Sequence, residues 1–236
     1  MFGSKKTLPA RRSLLDEAAL LDAARQHYPI ASDATCVLVH RGLNDTYRIA
    51  SSDADYALRV YRAGWRSEPE IRWELSLLSH LKEQAGPIAA PISTRAGNLF
   101  GIVAAPESLR HAALFEFAPG KECSGEAMTV ERARAYGRAA AAVHLRLDTF
   151  ETGFPRFELD LHHLLLQPMT LLEPRMTERP QDLADLRHLS QRLRDMIVEI
   201  DSRGLTRGIC HGDMDGGNAS LGRDNEFRFY DFDCAG

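Results

Sequence analysis

A chain of 236 residues with 44% apolar and 26% charged residues has an ordinary globular composition, long enough for two small lobes around a cleft or for one large domain. Its formal charge of -4, from 29 Lys and Arg against 33 Asp and Glu, lacks the basic excess of a nucleic-acid binder but leaves room for a nucleotide site, which needs only a few local cations. No stretch reaches the length of a membrane span, the first dozen residues lack the apolar core of a signal peptide, and Cys36, Cys123, Cys210 and Cys234 form no C-x-x-C pair, so we expect free thiols in a cytoplasmic protein.

The N-terminal dozen, with Lys5, Lys6, Arg11 and Arg12, reads as a frayed tail. From Ser13 to Tyr28 the pattern is helical: Ser13 and Asp16 form a capping box, and Leu14, Leu15, Ala18, Leu21 and Ala24 recur at helical spacing. Three strands follow, over 34–40, 46–50 and 56–62, separated by Gly-, Asn-, Asp- and Ser-rich breaks that predict antiparallel hairpins. The next helix, about 68–84, starts through Ser67 and Pro69 and is stopped by Gly86-Pro87. Two or three further strands are expected within 91–117.

At Ala118-Pro119-Gly120 the character changes, and helices are predicted over 126–147, around 159–172 and over 182–202, the last with Gly204 just past its end. Short apolar strands over 219–221 and 227–232 close the chain. The result is an α+β plan with two lobes: an antiparallel-sheet lobe over 1–113, a joint over 114–121 and a mainly helical lobe over 122–236.

The strongest chemical signal is Cys210-His211-Gly212-Asp213-Met214-Asp215-Gly216-Gly217-Asn218, followed by Tyr230-Asp231-Phe232-Asp233. Phosphoryl transfer needs a carboxylate to hold the acceptor hydroxyl in line and hard oxygen ligands to hold magnesium on the phosphates. His-x-Asp, an Asn five residues on, and an Asp at a strand end supply that set. A hairpin between Asn218 and Asp231 would return Asp231 to Asn218. Single Asp, Gly or Asn residues there would read as a surface turn; it is their joint spacing between apolar strands that marks a site.

These residues resemble the catalytic loop and metal-binding Asp of the aminoglycoside phosphotransferase and choline kinase superfamily, which has a protein-kinase-like fold. The resemblance implies Asp213 as catalytic base, Asn218 and Asp231 as magnesium ligands, and His211 as a brace for the loop. It also implies an ATP- and magnesium-dependent kinase acting on a hydroxyl of a small molecule such as an aminoglycoside, homoserine or an amino alcohol. Gly212 stands where many protein kinases carry an Arg that reads an activation-loop phosphate, so that form of regulation is not expected.

The N-terminal half carries matching features in order. Tyr56-Ala57-Leu58-Arg59 resembles the kinase Val-Ala-Ile-Lys strand, with Ala57 and Arg59 on one face, although Arg replaces Lys and brings a longer, planar cation. On the following helix Glu74 lies in the stripe of Ile71, Leu75, Leu78 and Leu81, and a carboxylate there needs a cation: Arg59 is expected, with Glu70 as the second candidate for the acid. The segment Gly42-Leu43-Asn44-Asp45-Thr46-Tyr47 reads Gly-x-Asn-x-x-Tyr, one residue shorter than the family's Gly-x-x-Asn-x-x-Tyr phosphate loop that it resembles, and the resemblance implies nucleotide contacts at Gly42, Asn44 and Thr46. Leu114 to Gly120 resembles the inter-lobe hinge, where the Glu116 carbonyl and the Ala118 amide would meet adenine.

A metal-dependent phosphatase would need an upstream Asp-x-His on a strand and further His ligands downstream, and nothing after His211 is a histidine. A nucleotide-binding pseudokinase is opposed by the complete Asp213, Asn218 and Asp231 set. The chain stops just past Asp231, where the family has further helices that build most of the acceptor pocket, so we expect a C-terminally truncated member, aggregation-prone and unable to turn over as given. Asp215 and Asp233 are expected to be exposed loop acids.

Overall fold

The computed structural model describes residues 8–122 and 125–236; Lys5 and Lys6 of the expected tail, and Cys123, lie outside the described residues. Two compact units emerge, Met1–Pro155 with Met214–Asp233, and Arg156–Asp213 with Cys234–Gly236. The division expected at 114–121 and these units cut the chain in different places. Within the first unit Tyr136 sets its ring edge-on against Phe227 and Phe229.

The first unit begins with α1 (Glu17–His27) and continues with β1 (Thr35–Arg41), β2 (Asp45–Ala50), β3 (Asp55–Val60), α2 (Glu68–Glu83), β4 (Pro91–Ile92), β5 (Gly101–Ala104) and β6 (Leu109–Glu116). The sheet order is β1-β2-β3-β6-β4 with β5 also on β6, and every pairing is antiparallel. Strand alternation explains which side is core. Tyr56, Leu58 and Val60 of β3 join Tyr47, Ile49, Ala112 and Leu114 against Leu20, Leu21 and Ala24 of α1, which leaves Ala57 and Arg59 on the other face.

Helix α1 starts later than its pattern predicted. Asp16 is its N-cap, accepting from the Ala19 N–H at 2.9 Å, while the Ser13 hydroxyl donates to Glu107 at 2.6 Å. Nor does the whole N-terminal dozen fray: Arg12 donates to the Gly42 carbonyl at 2.7 Å and to Asp45 at 2.6 Å, because a buried carboxylate draws in a second cation. Helix α2 follows its sequence signals, with Ser67 N–H donating to Glu70 at 2.8 Å and Pro69 in the first turn. It buries Ile71, Trp73, Leu75, Leu77, Leu78 and Leu81 together with Glu74. Each large aliphatic or aromatic side chain so buried contributes about 1.5–3 kcal/mol.

Beyond the Pro119-Gly120 joint come β7 (Lys121–Glu122) and α3 (Val130–Leu147), capped by Thr129. After the second unit the chain returns as β8 (Ala219–Leu221) and β9 (Phe227–Phe229), which form a three-stranded sheet in the order β7-β8-β9. Gly120 has φ +112°, and a Cβ there would come 1.9 Å from the Leu221 carbonyl oxygen, so the joint requires glycine.

The second unit holds a π-helical turn at His162–Leu166, α4 (Gln167–Leu172) and α5 (Pro180–Asp201). Phe157 stacks on His163 with ring centroids 4.3 Å apart. Cys210 and Gly236 exchange two backbone hydrogen bonds of 3.1 Å, so the chain's last residues pair with the segment leading to Asp213. No residue of α5 is buried.

Candidate active site

Arg59 sits at the centre of the site. Its guanidinium donates to Glu74 Oε1 at 2.7 Å, and a second nitrogen lies 3.0 Å from Asp231 Oδ1. The cation also lies over the rings of Phe115 and Tyr61, at 5.2 and 5.7 Å from their centroids. Glu74 is fully buried on α2, and its other oxygen accepts from the Tyr61 hydroxyl at 3.1 Å. Burial alone would make Arg59 a weaker base, but the charges of Asp231 and Glu74 outweigh it and hold the pKa well above its ordinary value. The Tyr61 hydroxyl is pushed well up by burial first and by the Glu74 charge second, so it stays protonated. Glu70, the second candidate for the acid, serves instead as the cap of α2.

Asp231 reaches Arg59 because of the β8–β9 hairpin. The Tyr230 N–H donates to the Asn218 carbonyl at 3.0 Å, which brings the two ends of the hairpin side by side. Asp231 takes φ +63°, a left-handed conformation that a non-glycine residue adopts at a cost of about 1 kcal/mol or more. Its side chain is 43% exposed while Arg59 is nearly sealed, so this carboxylate is the open end of the cluster. Asp215 caps the turn before Asn218, accepting from the N–H groups of Gly217 and Asn218 at 2.8 and 3.1 Å.

Within the second unit, His211 is buried, and the Asp213 N–H donates to its Nδ1 at 3.3 Å. That contact ties the loop's shape to the ring. Gly212 has φ +78°, and a Cβ there would come 2.1 Å from the Cys234 carbonyl oxygen, so an Arg at this position is sterically excluded. Asp213 itself is exposed.

Of the other residues expected at the site, Thr46 is the cross-strand neighbour of Arg59, and Ala57 lies opposite Phe115. Gly42 closes the β1–β2 turn by donating to the Asn44 carbonyl at 3.0 Å. The Asn44 side chain is buried and engaged at both ends: Oδ1 accepts from the Arg62 N–H at 3.1 Å, and Nδ2 donates to Asp233 at 3.3 Å. Glu116 ends β6 with its side chain in solvent, 3.7 Å from Lys82, and its own N–H donates to the Ala90 carbonyl at 2.8 Å. Ala118 lies two residues past β6.

Magnesium commonly takes only one or two protein oxygens and keeps waters and phosphate oxygens in its remaining positions. Asp231 offers a hard oxygen of that kind beside the Arg59 cation, and the amide oxygen of an asparagine such as Asn218 is another, so the chemistry of these side chains is compatible with a magnesium nucleotide. Among the described residues no group of three or more His, Cys, Asp or Glu forms a metal cluster, and no helix is long and apolar enough to cross a membrane.

The phosphotransferase enzyme family matches residues 35–236, which takes in every residue named for the site. The chain belongs to that family. An uncharacterized protein of Deinococcus radiodurans is 38% identical over 233 residues, and one of Synechocystis sp. is 31% identical over 228. The chain spans 66% and 63% of the length of these two relatives. The fold is that of kinases of this family. An amicoumacin kinase solved with AMP-PNP and Ca2+ superposes with a TM-score of 0.69 at 18% identity, covering 94% of this chain and 65% of that one. A microcompartment-associated aminopropanol kinase gives 0.66 at 21% identity (93% and 70%), and a choline kinase from Streptococcus pneumoniae 0.59 at 13% (93% and 69%).

Several members of the site's polar framework escaped the sequence reading. Tyr61 was one, although it lies two residues beyond Arg59, the spacing that keeps a strand residue on the same face. Asp233 was another: it is buried, not an exposed loop acid, because Trp65, Arg66 and Asn44 surround it with N–H donors. Its only sequence signal was its place two residues after Asp231.

Proposed function

We propose that this phosphotransferase-family chain carries the catalytic apparatus of an ATP- and magnesium-dependent kinase that transfers the γ-phosphoryl group to a hydroxyl of a small molecule. The observation that carries the reading is Arg59, a charged guanidinium fixed by buried Glu74 and bonded on its open side to Asp231. Bound MgATP supplies the transferable group. Arg59 and the amides of the Gly42–Thr46 turn would face its phosphates, Ala57 would roof the adenine, and the Glu116 carbonyl and Ala118 amide would meet its edge. Asn218 and Asp231 would hold magnesium. Asp213 would accept the proton of the acceptor hydroxyl as it attacks, with His211 keeping the loop in shape. The similarity to aminopropanol, choline and amicoumacin kinases favours an amine-bearing alcohol as acceptor.

The test is Asp213→Asn. In the full-length enzyme, turnover against a panel of amino alcohols and aminoglycosides should fall on the order of a hundredfold or more, with MgATP affinity within about twofold of wild type. A variant that keeps most of its turnover contradicts the assignment of Asp213.

A further inference from the structure

Asp233 gathers three parts of the first unit that are distant in sequence. Its Oδ2 accepts from the Trp65 indole N–H at 2.8 Å and from Asn44 Nδ2 at 3.3 Å, and its Oδ1 accepts from Arg66 Nε at 3.0 Å. Arg66 also donates to the Asp233 backbone carbonyl at 2.8 Å, so one guanidinium grips the residue by side chain and main chain. The Asn44 amide passes the link on, since its Oδ1 accepts from the Arg62 N–H at 3.1 Å. A carboxylate that is only 3% exposed has no strong water shell to compete with these donors, so each bond counts for more than it would at the surface.

The segments so tied are the β1–β2 turn, the 62–67 link that leads into α2 and Glu74, and the Asp231 end of the hairpin. We infer that Asp233 is a positioning residue for nucleotide binding, which fixes the phosphate-facing turn and the Asp231 segment to one another through Asn44, Trp65 and Arg66. The inference rests on the kinase reading for its consequence and on these bonds for its geometry. It assigns Asp233 no contact with nucleotide and no part in the chemistry. It also gives Trp65 and Arg66 a reason to precede the Ser67 cap: they dock the start of α2 on the Asp231 segment, so that Glu74 and Asp231 approach Arg59 from two anchored sides.

The experiment uses the chain as wild type, Asp233→Asn and Trp65→Phe. Asn is nearly isosteric with Asp, but it turns an NH2 group toward donors, whereas Trp65→Phe deletes one donor and keeps an aromatic ring. Hydrogen exchange of the protein without nucleotide should show amides of 42–46 and 62–67 opening about tenfold faster in Asp233→Asn, with β3 protected as in wild type. MgATP affinity by calorimetry should fall about tenfold in Asp233→Asn, and a few-fold in Trp65→Phe, as expected for lost bonds to a charged acceptor. Faster exchange confined to 231–234, or spread evenly over the sheet, would overturn the inference, as would unchanged MgATP affinity in a variant whose turn has loosened. Wild type that binds no MgATP would instead overturn the kinase reading and the nucleotide role with it, while the exchange pattern still decides whether Asp233 ties the segments. Should Asp233→Asn not fold, Trp65→Phe decides both readouts by the same criteria.

Discussion

Two arginine–carboxylate clusters occupy opposite faces of the same sheet, and they differ in one respect that separates stability from function. Arg110 and Asp45, on the α1 side, have fully buried side chains 2.7 Å apart. Arg110 spends its remaining donors on the carbonyls of Tyr61 at 2.8 Å, Ser13 at 3.1 Å and Val60 at 3.1 Å, while Arg12 closes over Asp45. Arg59 and Glu74, on the other face, are nearly as buried, but the third member, Asp231, is partly open to solvent. A sealed cluster has nothing to exchange. An open one can trade a carboxylate contact for a ligand's phosphate or metal, so the accessible partner marks the site and the buried charge alone does not.

The largest expected effect follows from breaking the sealed cluster. Arg110→Met leaves Asp45 buried with Arg12 as its remaining cation and should cost about 3–5 kcal/mol in urea denaturation. MgATP affinity of the folded fraction should stay within about twofold of wild type; a loss well below 3 kcal/mol would show that Arg12 alone satisfies Asp45. On the open cluster, Glu74→Gln should raise the KM for ATP of the full-length enzyme by letting Arg59 drift, and in an Arg59→Ala background the same change should be nearly silent. A double-mutant cycle should return a coupling above about 0.5 kcal/mol, and a smaller one would make the two residues independent.

The smallest effect concerns pH. Tyr28, in the core beside the sealed cluster's face, donates to the Ala112 carbonyl at 3.2 Å, and burial pushes its hydroxyl up to about 12, with backbone hydrogen bonds opposing. Because the folded value lies above the unfolded value of about 10, the unfolded state ionises first. The stability this group contributes is complete below about pH 10 and is lost as pH rises to 12. Tyr28→Phe should remove part of that alkaline slope and cost about 1 kcal/mol at neutral pH. An unchanged slope between pH 10 and 12 would place the alkaline loss elsewhere, with Tyr61 as the next residue to change.

Much of this was legible in the sequence because the signals were local. Ser67, Pro69 and the Ile71–Leu81 stripe wrote helix α2, and the same stripe singled out Glu74 as a carboxylate in need of a cation. The β8–β9 hairpin was legible from two short apolar runs around a polar turn. What stayed hidden were bonds between distant segments: Arg12 and Arg110 on Asp45, and Trp65 and Arg66 on Asp233, join residues 33 to 168 positions apart. Composition cannot reveal such pairs, because an Arg in a tail or an Asp after a strand has the same local signature whether or not a partner arrives. Helix α5 marks the converse limit. Its apolar stripe of Leu189, Leu193 and Ile197 reads like that of α2, yet these side chains are exposed, because periodicity states that a face wants cover and not which residues supply it.

The claim that the Arg59 cluster is a magnesium-nucleotide site is tested most directly by calorimetric titration of ATP into wild type and Asp231→Ala, with and without magnesium. The account predicts saturable, magnesium-dependent binding by wild type and a loss of about tenfold or more in Asp231→Ala, because the metal would lose one of its protein oxygen ligands. Equal affinity in both proteins, or binding indifferent to magnesium, would contradict it.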